Sequence, residues 1–145
     1  MKIYVLGSNK FIKEMVECKD NLCKLGVNAW IHPEYEEHVK GGRKQKIEGL
    51  KKGEHAEIKK AHDYIRQHYN HILQSDAVIF VNNEKNGVKN YIGGNCLMEM
   101  GQAYVNNKKI FLLNDIPEDL AYADEIIAIS PICLKGDLTK IINYK

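Results

Sequence analysis

Short apolar runs alternate along the chain with longer segments whose apolar residues recur every three or four positions. Residues 77–81 are an unbroken apolar run closed by Asn82 and Asn83, the pattern of a strand buried on both faces of a parallel sheet. Residues 2–6, 27–31 and 109–113 read as further strands, with Pro33 ending the second of them. Between the first two, Phe11, Met15, Cys18, Leu22 and Leu25 share one helical face, and Gly26 stops that helix. A long helix is predicted over residues 54–74 on the stripe Ile58, Ala61, Ile65, His68 and Ile72. Residues 34–53 show no periodicity and read as a long basic loop, of the kind that usually forms a lid or mobile segment. Residues 117–122 read as a turn of helix, 132–134 as a last short strand, and 137–142 as a terminal helix with Asp137 near its cap. Alternating strands and helices with no hairpin signal predict a three-layer α/β fold, flavodoxin-like or Rossmann-like, with a parallel sheet of four to five strands.

Composition narrows the class. A chain of 145 residues is expected to form one domain with a single core. A net charge of +2 is too small to make a nucleic-acid polymer the expected partner. No run reaches the length of a membrane span and the first residues enter a strand directly, so no membrane partner and a cytoplasmic location are expected. The four cysteines form no CxxC pair and read as reduced thiols.

The chemistry gathers in residues 75–114, a strand, a glycine-bearing loop, a helix and a strand. Ligands of such βαβ units sit beyond the carboxyl ends of the strands, at the loop and the helix N-terminus. Gly93 and Gly94 let a backbone approach a ligand, Asn95 is a good N-cap, and Glu99 falls in the opening turns of the helix. Gly7 and Ser8 after the first strand, like Gly93 and Gly94, can offer backbone N–H groups to an anion, and Asn82 closes the strand between them. Neither G-x-G-x-x-G nor the P-loop pattern occurs, so no dinucleotide cofactor is expected.

The segments IYVLGS, SDAVIFVNN and YIGGNCLMEMGQAYV together resemble the nucleoside 2-deoxyribosyltransferase superfamily, whose relatives include the deoxyribonucleoside 5′-monophosphate N-glycosidases. The resemblance runs from Lys2 to about Asn114 and implies a flavodoxin-like sandwich. It implies Glu99 as the nucleophile that attacks the anomeric carbon, and Tyr4 as a first-strand tyrosine hydrogen-bonded to it. The implied substrate is a nucleoside or nucleotide, and the implied assembly is a homodimer with sites near the subunit interface. Bond cleavage of this kind develops positive charge on the sugar, and a carboxylate that forms a glycosyl-enzyme intermediate divides it into two easier displacements.

The chain departs from the family at two positions. Relatives carry an aspartate eight residues before the strand aspartate, where counting back from Asp76 gives His68. That residue lies on the inward stripe, so it is expected to face the same pocket as Glu99, and to donate to a base or shuttle a proton near neutral pH. Six residues before Glu99, where relatives carry an aspartate or a phosphate-binding serine, stands Gly93. Base, sugar, and hydrolysis against transfer therefore stay open. So do two other classes: a nucleotide-binding or sensing module without turnover, and a phosphoribohydrolase, whose P-G-G-x-G-T loop is only partly matched here. His55, His62 and His71 invite a metal reading, but Lys59 and Lys60 between them are poor company for a cation, and no metal is expected.

Overall fold

A computed structural model describes residues 1–41 and 54–144. Five parallel strands form one sheet in the order β2-β1-β3-β4-β5: β1 (Lys2–Gly7), β2 (Asn28–Trp30), β3 (Ala77–Val81), β4 (Lys109–Leu112) and β5 (Ile132–Cys133). All registered pairs are parallel, as in a flavodoxin-like three-layer sandwich. Alternation along β1 divides the core. Ile3 and Val5 pack with α1 (Ile12–Lys24), and Tyr4 and Leu6 with α4 (Tyr64–Leu73), α5 (Gly94–Val105) and α6 (Ala123–Ile129). β3 is buried at every position, which is why its sequence shows no polar alternation. No helix among the described residues is long and apolar enough to cross a membrane.

Several elements differ from the expectation. Pro33 does not merely end a strand: it opens α2 (Pro33–Val39), with the His32 side chain accepting from the Glu34 N–H as cap. Its fixed φ and missing N–H suit the first helical position, and Glu34 and Glu36 suit the first turn. The remainder of the basic loop, residues 42–53, lies outside the described residues, and with it the expectation of a lid over the strand ends. The long helix is two helices, α3 (Glu54–His62) and α4, broken where Asp63 adopts a left-handed conformation with φ of 52°. The break resets the helical phase. Ile65 is thereby turned to solvent, while His68 and Ile72 are buried. α6 follows the turn at residues 117–122, and the C-terminal segment is a 3-10 helix (Leu138–Tyr144) whose Thr139 N–H is capped by the Asp137 carboxylate.

The order 2-1-3-4-5 puts the topological switch point between β1 and β3, where the connections leave to opposite faces. A crevice beyond the carboxyl ends of those two strands is where ligands bind in such sheets.

Candidate active site

Glu99 lies in the second turn of α5, on the buried stripe Cys96, Glu99, Met100 and Ala103. Only 8% of it is exposed. Loss of water raises its pKa from 4.5 to about 8, against which Lys59 acts as the nearby positive charge. Among the described residues no hydrogen bond or ion pair reaches its carboxylate. Its charge is felt by Tyr4 on β1, by Tyr35 on α2 and by Cys96, each of whose ionisation is pushed up, chiefly by burial.

Tyr4, fully buried, pairs in register with Trp30 on one side and Val78 on the other. Its hydroxyl lies 2.7 Å from His68 Nδ1 and 3.1 Å from His71 Nδ1. His68 Nε2 lies 3.4 Å from the Tyr35 hydroxyl, which in turn donates to Asn9 Oδ1 at 3.2 Å. His32 completes the group, its ring centroid 5.3 Å from that of His68 and 5.4 Å from that of His71. Sequence and structure thus agree that His68 turns inward, close to Tyr4. They part on its titration. Burial, and then the charges His32 and His71 can carry, lower its pKa to about 3, so it is a neutral imidazole near neutral pH. The hydrogen bond from Tyr4 to the nucleophile implied by the resemblance is also absent among the described contacts, since the hydroxyl is engaged by the two histidines.

The other predicted residues divide. Gly7 ends β1, where a Cβ would sit 3.0 Å from Met15 Sδ and 3.2 Å from the Val81 carbonyl, so close packing already accounts for it. Ser8 stands at the site mouth, where its Oγ receives Lys85 Nζ at 3.4 Å. Lys10, two residues on, reaches Asn86 Oδ1 at 3.2 Å. Asn82 is wholly buried and committed to the fold. Its Nδ2 donates to the Asp115 carbonyl at 2.8 Å and its Oδ1 accepts from Asn114 N at 2.9 Å, pinning the end of β3 to the segment after β4. A substrate contact from that side chain finds no free atom. Gly93, not Asn95, is the N-cap of α5. Around Gly94 a Cβ would meet nothing within 4 Å, and Gly94 and Asn95 are both exposed, leaving the helix N-terminus open to a ligand.

No family model, curated protein or solved structure matches the chain. The site must therefore be read from its own geometry.

Sequence reasoning missed Tyr35, Asn9 and His32, and gave His71 no place in this site. His71 had a signal, since it follows His68 by three residues on one helix and so shares its face. Tyr35 had one too, in the proline and acidic first turn that announce α2. Of the other histidines, His62 stacks on Tyr64 with ring centroids 5.1 Å apart, and the His55 side chain lies outside the described residues; among the described residues no group of three His, Cys, Asp or Glu is arranged to hold an ion.

Proposed function

We propose that this chain cleaves or transfers the N-glycosidic bond of a deoxynucleoside, nucleoside or nucleoside 5′-monophosphate, with Glu99 as nucleophile. The observation that carries the reading is a buried carboxylate in the opening turns of α5, on the side of the switch point where Tyr4 and Tyr35 also converge. In this mechanism a Glu99 oxygen attacks the anomeric carbon, the base leaves with the electron pair of the broken bond, and water or an acceptor base then takes the sugar from the enzyme. A dry setting makes the ionised carboxylate a reactive nucleophile once formed, and Lys59 favours that form. Ser8, Lys10 and Lys85 at the mouth suit a 5′-phosphate. The same reading brings a cytoplasmic homodimer, supported by the apolar side chains that α5 exposes, Met98, Tyr104 and Val105.

The test is to incubate the protein with a panel of ribo and deoxy nucleosides and 5′-monophosphates and to measure free base, beside Glu99→Gln. Base release that depends on Glu99 is expected; equal release by both proteins, or none from any member of the panel, would end the reading. A second reading, a nucleotide-binding module without turnover, draws on the raised pKa of Glu99, which keeps most of the carboxyl protonated near neutral pH. Saturable nucleotide binding without base release would select it.

A further inference from the structure

The polar groups behind Glu99 form a single file, and each member has few protons to give. A tyrosine hydroxyl has one proton, and a neutral imidazole has one donor nitrogen and one acceptor. At one end of the file the Tyr35 hydroxyl donates to Asn9 Oδ1, which can only accept. Having given its proton there, the Tyr35 oxygen can only accept from His68 Nε2–H. His68 Nδ1 is then an acceptor, and the Tyr4 hydroxyl must donate to it. The Tyr4 oxygen in turn accepts from His71 Nδ1–H. His32 stands beside the file with its own tautomer determined: Nδ1 accepts from Glu34 N at 3.2 Å, and Nε2–H donates to Gln67 Oε1 at 2.8 Å.

We propose that Asn9 is a positioning residue whose side-chain carbonyl sets the direction of the file Asn9–Tyr35–His68–Tyr4–His71, so that the Tyr4 proton goes to His68 and is withheld from Glu99. One acceptor at the rim thus decides the orientation of four side chains on three other elements. The direction is reversible with no net gain or loss of protons. When a ligand's donor occupies the Asn9 carbonyl, the Tyr35 hydroxyl is free to turn its O–H toward His68 Nε2. His68 changes tautomer by exchange with water, which takes the Nε2 proton and returns one to Nδ1. Nδ1–H then donates to the Tyr4 oxygen, and the Tyr4 O–H can donate to the carboxylate whose charge it already feels. Such a site prefers a ligand with a hydroxyl or N–H donor directed at Asn9, and its nucleophile is readied by the binding of that donor. The role given to Glu99 rests on the function proposed above; the direction of the file does not.

The test is long-range proton–nitrogen correlation on the full chain with labelled histidine, near neutral pH. His68 and His32 are expected as Nε2–H tautomers and His71 as the rarer Nδ1–H tautomer. His68 found as Nδ1–H, or as an exchanging mixture, would overturn the proposal. In Asn9→Leu the file loses its anchoring acceptor, so His68 should move to Nδ1–H and the Glu99 carboxyl carbon should titrate at lower pH than in the native protein. A folded Asn9→Leu protein with the native tautomers would equally overturn it. Asn9→Asp, which keeps an acceptor and tests the case where the leucine variant does not fold, should retain native tautomers, and a switch to Nδ1–H there would count against Asn9. Failure to release base with His68 still in its Nε2–H form would remove the proposed reaction and leave the file intact.

Discussion

The Tyr4 hydroxyl lies 2.7 Å from His68 Nδ1, so β1 and α4, the helix that precedes β3, are joined by a buried hydrogen bond rather than by apolar contact alone. That bond links sequence positions 64 residues apart, and it accounts for the polar residue on an otherwise apolar stripe. It also removes from Glu99 the donor that the resemblance assigns to it, which leaves burial to dominate that carboxyl.

The first consequence is a pH dependence. In the proposed reaction Glu99 must be ionised to attack, and its pKa of about 8 means that the reactive form gains tenfold per pH unit well below that value. kcat/KM is expected to rise with pH and level off above about 8. A profile already flat from pH 5 would show that the carboxylate is ionised throughout, against the burial seen here.

Glu99→Gln separates function from stability. Base release should fall on the order of 10³-fold, as for other residues on which a covalent step depends. Stability should move the other way. The unfolded chain loses the Glu99 proton near 4.5 while the folded protein keeps it to about 8, so wild-type stability falls as pH rises through that window. The slope from this one group is at most about 1.4 kcal/mol per pH unit. Thermal melts should therefore show Glu99→Gln gaining on the wild type between pH 4.5 and 8, with a constant gap above. Parallel melting curves would show that the carboxyl is not desolvated.

How far the fold was legible depends on how local its causes are. The apolar run of β3 and the stripe of α1 declare themselves, because burial on a sheet or helix face needs only a periodic pattern. The break at Asp63 does not, since the left-handed residue is an ordinary polar one whose conformation is set by how α3 and α4 pack. α2 was legible and overlooked, its proline serving equally as a strand end or a helix start. In the site, the inward turn of His68 follows from its stripe. Its titration does not, because the groups that bury it and oppose its charge include Tyr4 on β1 and His32 and Tyr35 at α2, which are distant in sequence. Asn82 was open to misreading for the same reason, its partners Asn114 and Asp115 lying more than thirty residues away.

Asn82→Ala is expected to act on the fold. The side chain is fully buried and holds Asp115 and Asn114 by its amide in part-buried bonds, so truncation leaves the Asp115 carbonyl and the Asn114 N–H without those partners. A fully buried orphan costs about 1–3 kcal/mol, and partly buried ones fall at the low end of that range. Chemical denaturation should show a loss of about 2 kcal/mol or more, with KM little changed in the surviving folded protein. A stable variant with a large rise in KM would return Asn82 to the substrate.

His68 supplies the acid limb of stability. Its folded pKa of about 3 lies below the 6.5 of the unfolded chain, so between those values the unfolded state binds a proton that the folded state refuses. The stabilisation from keeping it neutral is complete above 6.5 and is lost as pH falls toward 3, at up to about 1.4 kcal/mol per pH unit. His71, whose pKa is also lowered by burial, adds in the same direction. His68→Gln keeps one donor and one acceptor but cannot take up the proton, so its stability should fall less steeply in this range than that of the wild type. The two proteins should differ most at neutral pH, where the native file of hydrogen bonds is intact, and converge on acidification. Denaturant midpoints measured across pH 3 to 7 check this, and identical slopes for both proteins would mean that His68 takes up its proton in the folded state as readily as in water.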